Sequence, residues 1–318
     1  MASIGKDIAE AIGLLNEGHV IGIPTETVYG LAGNAINTDA VAKIFEVKNR
    51  PSFDPLIIHT NSIDRFSAYV SEIDERAFAL AEKFMPGPLT LLLPRKDIIP
   101  DLVTSGLDKV AIRIPQHPLT LELLSQLDYP LAAPSANPFG YISPTSAAHV
   151  NNQLGDKIKY ILDGGTCQVG IESTIVGFEA QEAIVYRKGG LSIEEIEGVI
   201  GKVKVIDHSS SNPQAPGMLK SHYAPKKQLL LLPENQSVRN DGKKIGYLGF
   251  QHYHQEIPQQ NQLLLSPDGD FREAAKHLFA YMRQLDAMDV DIIYTDLLPE
   301  KDLGRAINDR IRRATVKE

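Results

Sequence analysis

Apolar residues at Ile4, Ile8, Ile12 and Leu15 recur at helical spacing and stop at Gly18, so the pattern predicts a helix at the start of the chain. HVIGIP then reads as a short strand that ends at Pro24. Thr38-Asp39 opens a second helix with Val41, Ile44 and Phe45 on one face. PLIIH has the make-up of a buried strand. Ser62 and Asp74 begin further helices, the second stopping at Met85-Pro86-Gly87-Pro88. LTLLLP and KVAIRIP are strands closed by prolines, Leu119 to Leu127 is a helix, and YPLAAPSAN is a strand running into a polar turn. KYILDGG, STIVGF and AIVYRKGG add strands. This traffic of strands and helices predicts an α/β domain over residues 1–206.

The pattern then breaks. Residues 207–227, DHSSSNPQAPGMLKSHYAPKK, are rich in Ser, Pro and Gly and have no apolar period, so they read as a linker. Its second half carries Met218, Leu219, His222 and Tyr223, which are costly to leave in water if the segment only tethers. Residues 228–318 return to strands and helices. QLLLLP, KKIGYLGF, Asn261 to Pro267 and DIIYTDLL read as strands, Phe271 to Leu285 as an amphipathic helix, and Leu303 to Val316 as a basic helix. A second, smaller α/β unit is expected there.

Composition narrows the function without naming it. The chain has 318 residues, 43% of them hydrophobic and 23% charged, with a net charge of -8. That balance fits a folded soluble protein and argues against a general nucleic-acid coat. No apolar run approaches the roughly 20 residues that span a bilayer, and the N-terminus does not read as a signal peptide. Cys167 stands alone, which rules out an internal disulfide and makes the cytoplasm the expected compartment.

Two segments carry the most chemical information. KNRPSFDPLIIH places Lys48 and Arg50 before a proline-fixed, apolar run that ends in His59. By pattern the two cations look exposed. PSANPFGYISPT sets Ser135, Asn137 and Ser143 among prolines and a glycine. Fixed positive charge beside short hydrogen-bonding groups suits a polyanion such as a nucleotide triphosphate. Neither segment is a Walker loop or a dinucleotide fingerprint. Thr25, Glu26, Thr27 and Tyr29 follow a strand, where α/β sheets usually bind ligands; a helix N-cap is an equal reading for Thr25. Arg113 interrupts an apolar strand and needs an anion, from the protein or from a ligand. Glu172 has the chemistry to hold Mg²⁺ or to cap a turn. No residue shows the surroundings of an activated nucleophile, which favours positioning and electrostatics, as in nucleotidyl transfer.

IPTETVYGL, KNRP, DPLIIH, FMPGPLTLLL, VAIRIP, APSAN, SPT, GIEST, YRKGG and the linker motif APGMLKSHYAP, in this order, strongly resemble the threonylcarbamoyl-AMP synthase family in its long, two-domain form. The resemblance implies a YrdC-like domain, a twisted mixed sheet with a concave active site, followed by a smaller Rossmann-like domain. It implies synthesis of L-threonylcarbamoyladenylate and pyrophosphate from L-threonine, bicarbonate and ATP, for threonylcarbamoyladenosine in tRNA. Lys48 and Arg50 are then catalytic, and ATP is expected at Lys48, Arg50, Asp54, Ser135, Asn137, Ser143, Arg187, His222 and Tyr223, with Mg²⁺ on its phosphates. Threonine is expected at Thr27, His59, Arg113, Ala133 and Ser173. Lys109 departs from the small hydroxylated residue the family pattern leads one to expect. Downstream transfer proteins are the implied partners, with a weak tRNA contact possible in the same scheme. The competing readings are an RNA-binding module and a carbamoyl transferase with another acceptor.

Overall fold

A computed structural model describes residues 1–180, 182–206, 215, 216, 218, 221–232 and 242–316. Residues 207–214, Gly217, Leu219 and Lys220 of the expected linker lie outside the described residues. No described helix is long and apolar enough to cross a membrane.

The first unit is built on an eleven-stranded mixed sheet. Its spatial order is Ser3–Gly5, Tyr160–Leu162, Ile21–Ile23, Gly30–Asn34, Leu131–Ala132, Ile57–His59, Lys109–Arg113, Leu89–Pro94, Thr174–Glu179, Glu182–Arg187 and Lys204–Val205. One sequence expectation fails at the start. Ile4 belongs to an edge strand paired parallel with Tyr160–Leu162, and the helix is Ile8–Asn16, started by Asp7, whose side chain accepts from Glu10 N. The helix expected at Ser62 is the single turn Phe66–Tyr69.

One face of this sheet is covered by helices. Thr38–Lys48 and Glu75–Phe84 pack Ile44, Phe45 and Leu80 against Leu31, Ile58, Leu91 and Ile112. Side chains two apart on a strand share a face. Ile57 and His59 therefore look to the opposite side, with Ala111 and Arg113 in register beside them. On that side Ile57, Leu92, Ala111, Ile184 and Tyr186 are covered by Ala215 and Met218 of the linker. Ala215 and Met218 are thus part of the first unit's packing.

The second unit is a four-stranded, all-parallel sheet in the order Gln228–Leu231, Ile292–Thr295, Ile245–Gly249 and Gln262–Leu264. Phe271–Ala287 and Gly304–Thr315 pack on it. Its core does not stop at the unit boundary. Val28, Ile142, Ile171 and Tyr223 join Leu229, Leu248, Phe279 and Ile307 in one cluster. Polar ties reinforce this join: Tyr141 Oη donates to Asp286 Oδ2 at 2.6 Å, and Arg283 donates to Ser143 O at 3.2 Å and Gln153 Oε1 at 2.9 Å.

Candidate active site

The site occupies the sheet face that the helices leave open. The hairpin turn between Ile21–Ile23 and Gly30–Asn34 supplies its first wall. There is no helix here, so the N-cap reading of Thr25 is wrong. Thr25 instead folds the turn, its Oγ1 donating to Val28 O at 2.6 Å and accepting from Thr27 N at 3.1 Å. Glu26 reaches across to Arg113, whose Nη2 lies 2.7 Å from Oε1, while Oε2 accepts from Gln116 N. Arg113 Nε donates to Gly87 O at 3.2 Å. Arg113 therefore has both things the sequence left open, a protein carboxylate and a face on the cavity. Its Nε is committed, so an anion in the cavity meets the Nη edge of the fork.

Lys48 ends its helix and is 1% exposed, contrary to the exposure its pattern suggests. Its Nζ donates to Ser135 O at 2.5 Å and Asn137 O at 2.6 Å. Burial, with Arg50 adding to it, lowers the ammonium pKa well below the usual lysine range. The Arg50 side chain is also enclosed, 5% exposed, with Nη2 2.8 Å from Asp54 Oδ2 and Nε donating to Asp54 O. Both cations belong to the interior because their partners come from a loop nearly ninety residues away and from a proline-fixed turn.

Arg187 reaches the site from the end of Glu182–Arg187. It donates from Nε to Ser173 O, from Nη2 to Ser173 Oγ at 3.1 Å and from Nη1 to Pro216 O at 3.2 Å. Burial lowers its pKa to about 10. Glu172 accepts from Ser143 Oγ at 2.7 Å and from Arg310 Nε at 3.1 Å. Burial pushes its carboxyl up, but Arg310, Arg187 and the Ser143 hydrogen bond outweigh that and hold it below the usual glutamate value. His59 is pushed down to about 3 by burial and by Arg113, so it is a neutral imidazole. His222 is likewise held well below the usual histidine value, by burial first and then by Arg313, Arg50 and Lys48.

These residues enclose a cavity of about 50 Å³. Thr27, Arg50, His59, Arg113, Ala133, Ser135, Arg187, His222 and Tyr223 line it, all of them predicted from sequence. Lys48, Asp54, Asn137, Ser143 and Ser173 stand behind the wall, tied to the lining residues or to the turn Ser135–Asn137 by the bonds above. Asn137 Nδ2 donates to Pro138 O and Tyr141 O, and its buried Oδ1 has no partner among the described residues. Lys109 lies at the far end of the Arg113 strand, near Phe178 O and Glu179. Glu26, which backs Arg113, is the residue whose pairing sequence reasoning missed; the signal was an acid in a turn otherwise made of hydroxyl and apolar groups. Pro216, His222 and Tyr223 bring the linker onto the cavity, and Ala224 N donates to Gly140 O to fasten it.

Among the described residues no group of three or more His, Cys, Asp and Glu could hold a metal. The carboxylates nearest the cavity are each committed to an arginine, Glu26 to Arg113, Asp54 to Arg50 and Glu172 to Arg310. A magnesium ion in this site fits best on oxygens that a ligand brings.

Comparison with known proteins agrees with the motif order. The Sua5/YciO/YrdC family model, described as telomere recombination, matches residues 13–189, and the model for the threonylcarbamoyl-AMP synthase C-terminal domain matches 191–316. Threonylcarbamoyl-AMP synthases of Pyrococcus abyssi and Bacillus subtilis are each 39% identical over 96% of this chain, and the match covers 93% and 92% of their own lengths. The crystal structure of P. abyssi Sua5 complexed with L-threonine superposes with a TM-score of 0.90 at 37% identity, covering 99% of this chain and 97% of that one.

Proposed function

Because the chain belongs to the threonylcarbamoyl-AMP synthase family, we propose that this cavity makes L-threonylcarbamoyladenylate, pyrophosphate and water from L-threonine, bicarbonate and ATP. The observation that carries the reading is the convergence of Arg50, Arg113 and Arg187 on one small cavity beside neutral His59 and the Thr27 hydroxyl. Three fixed guanidinium groups suit a site where two anions must approach each other.

Threonine binds through its carboxylate on the free edge of Arg113, with Thr27, His59, Ala133 and Ser173 around the rest of it. Its amine captures bicarbonate as a carbamate, with loss of water. A carbamate oxygen then attacks the α-phosphorus, and the bond to pyrophosphate breaks. Arg50 and Arg187 face the phosphates, with Ser135, Asn137 and Ser143 as hydrogen-bonding groups. Lys48 acts from behind the wall, holding the Ser135–Asn137 turn in place through two carbonyls. Magnesium brought on the triphosphate oxygens would neutralise part of their charge beside Arg50 and Arg187.

A cavity of about 50 Å³ admits several waters and not a nucleotide, for which pockets of roughly 300 Å³ or more are usual. In this reading Pro216, His222 and Tyr223, the linker residues on the cavity, form a lid that lifts for ATP and for product. When shut it shields a labile mixed anhydride from water. Work in the cytoplasm, with transfer proteins that pass the threonylcarbamoyl group to tRNA and a weak tRNA contact, completes the reading. The test is pyrophosphate release from ATP with threonine and bicarbonate each omitted in turn. Release should need both; release that is equally fast without an amino acid rejects the assignment.

A further inference from the structure

We propose that Arg310, in the last helix of the C-terminal unit, is a positioning residue for this reaction, holding Glu172 in the cavity wall and the Tyr223 ring over it. The inference rests on the function proposed above and assigns a part in it to the C-terminal unit. Arg310 is completely buried and touches three regions at once. Its Nε donates to Glu172 Oε2 at 3.1 Å, in the catalytic unit. Its Nη1 donates to Lys188 O at 2.6 Å, next to Arg187, and to Asp309 Oδ2 at 2.9 Å on its own helix. Its Cζ lies 5.5 Å from the centre of the Tyr223 ring, in the linker.

Stability alone does not explain such a residue. A buried ion pair is often matched or bettered by apolar side chains of the same volume. What a guanidinium adds is a planar fork with fixed bond directions, which an apolar group or an ammonium cannot copy. Those directions pass into the site by short steps. Glu172 turns its other oxygen to Ser143 Oγ at 2.7 Å, and the neighbouring Ser173 holds Arg187. Tyr223 needs support as well. Its φ of 69° lies in the left-handed region, which side chains with a Cβ rarely adopt, and its ring stacks on Phe279 at 5.3 Å beside Arg310 and Arg313.

The test is a double-mutant cycle in the full chain, with Arg310→Lys, which keeps the charge and loses the fork, crossed with Glu172→Gln. Positioning through Glu172 predicts that Arg310→Lys lowers kcat at least tenfold at saturating substrates, with threonine KM within about twofold. In the Glu172→Gln background the same change should cost less than about threefold. Hydrogen exchange over residues 221–227 should quicken in Arg310→Lys. A variant that loses melting temperature but keeps kcat, or that loses kcat equally in both backgrounds, overturns the proposal. Should Arg310→Lys fail to fold, Asp309→Asn, which removes one anchor of the fork, enters the same cycle. A wild-type chain whose pyrophosphate release ignores threonine rejects the reaction itself; the positioning claim is then decided by the exchange measurement, where unchanged rates over 221–227 overturn it.

Discussion

Beside the eleven-stranded sheet Lys48, Arg113, Glu26 and Glu172 are all buried, whereas the four-stranded sheet encloses Leu229, Leu248, Ile293 and Phe279 and leaves pairs such as Lys244 with Asp289 at the surface. Each buried charge had to lose its water, and each is paired or bonded to carbonyls in return. The first unit accepts that cost where an anionic substrate can use the same groups. The second unit has the economy of a scaffold, broken chiefly where Arg310, Asn308 and Arg313 are buried in its last helix. Buried charge thus marks where chemistry is expected, on whichever unit it lies.

The largest effect should come from Arg113→Ala. It strands Glu26 without its cation and should cost about 3–5 kcal/mol in urea denaturation, besides raising threonine KM. Equal stability and unchanged KM would show that the buried pair does neither job. Lys48→Met comes next. It leaves Ser135 O and Asn137 O unpaired, at about 1–3 kcal/mol for each group that stays dry, and should abolish adenylate formation. A well-folded, fully active Lys48→Met enzyme would break the contrast between the units.

A smaller effect is expected with pH. His149 is held down to about 4, by burial and then by Arg283, against about 6.5 in the unfolded chain. The unfolded form takes the proton first. Its contribution to stability is therefore full above about pH 6.5 and is lost as pH falls toward 4. His59 and His222 act in the same direction. The urea midpoint should fall from pH 7 to 5, and less steeply in His149→Asn; identical slopes would remove His149 from the account. The smallest change should come from the surface. Arg305 meets Glu194 at 2.5 Å with both side chains partly exposed, so Arg305→Ala should cost less than about 1 kcal/mol. A loss of several kcal/mol there would mean the second unit does not hold its charges as loosely as it looks.

Much of this was readable from local pattern. PLIIH, LTLLLP, KVAIRIP and all four strands of the second unit fell where their apolar runs stood. The strand Gly30–Asn34 did not show, because Gly30 and Gly33 weaken a strand pattern. Their reason is spatial: a Cβ on Gly33 would lie 3.2 Å from Val20 and 3.3 Å from Ile44. The helix Ala147–Leu154 hid in a polar stretch behind its Ser146 cap. The motif residues came together around one cavity, but the burial of Lys48 was misjudged. Lys48 meets carbonyls 87 and 89 residues away, and Arg310 meets Glu172 at a separation of 138. Periodicity reports which face of an element is apolar. It says nothing of which distant group will neutralise a charge.

Ala215 and Met218, seated on the sheet over Ile57, Leu92 and Ile184, have a consequence for how the molecule is made. A ribosome delivers the eleven strands before it delivers the segment that covers them. Until Ala215 and Met218 have emerged, the nascent sheet has one finished side and one greasy one. The second unit, which shares its core with Val28, Ile142 and Ile171, arrives later still. Maturation of the catalytic surface therefore waits for segments made after it, and a chain stalled near residue 206 should be a client for chaperones and not a half-enzyme.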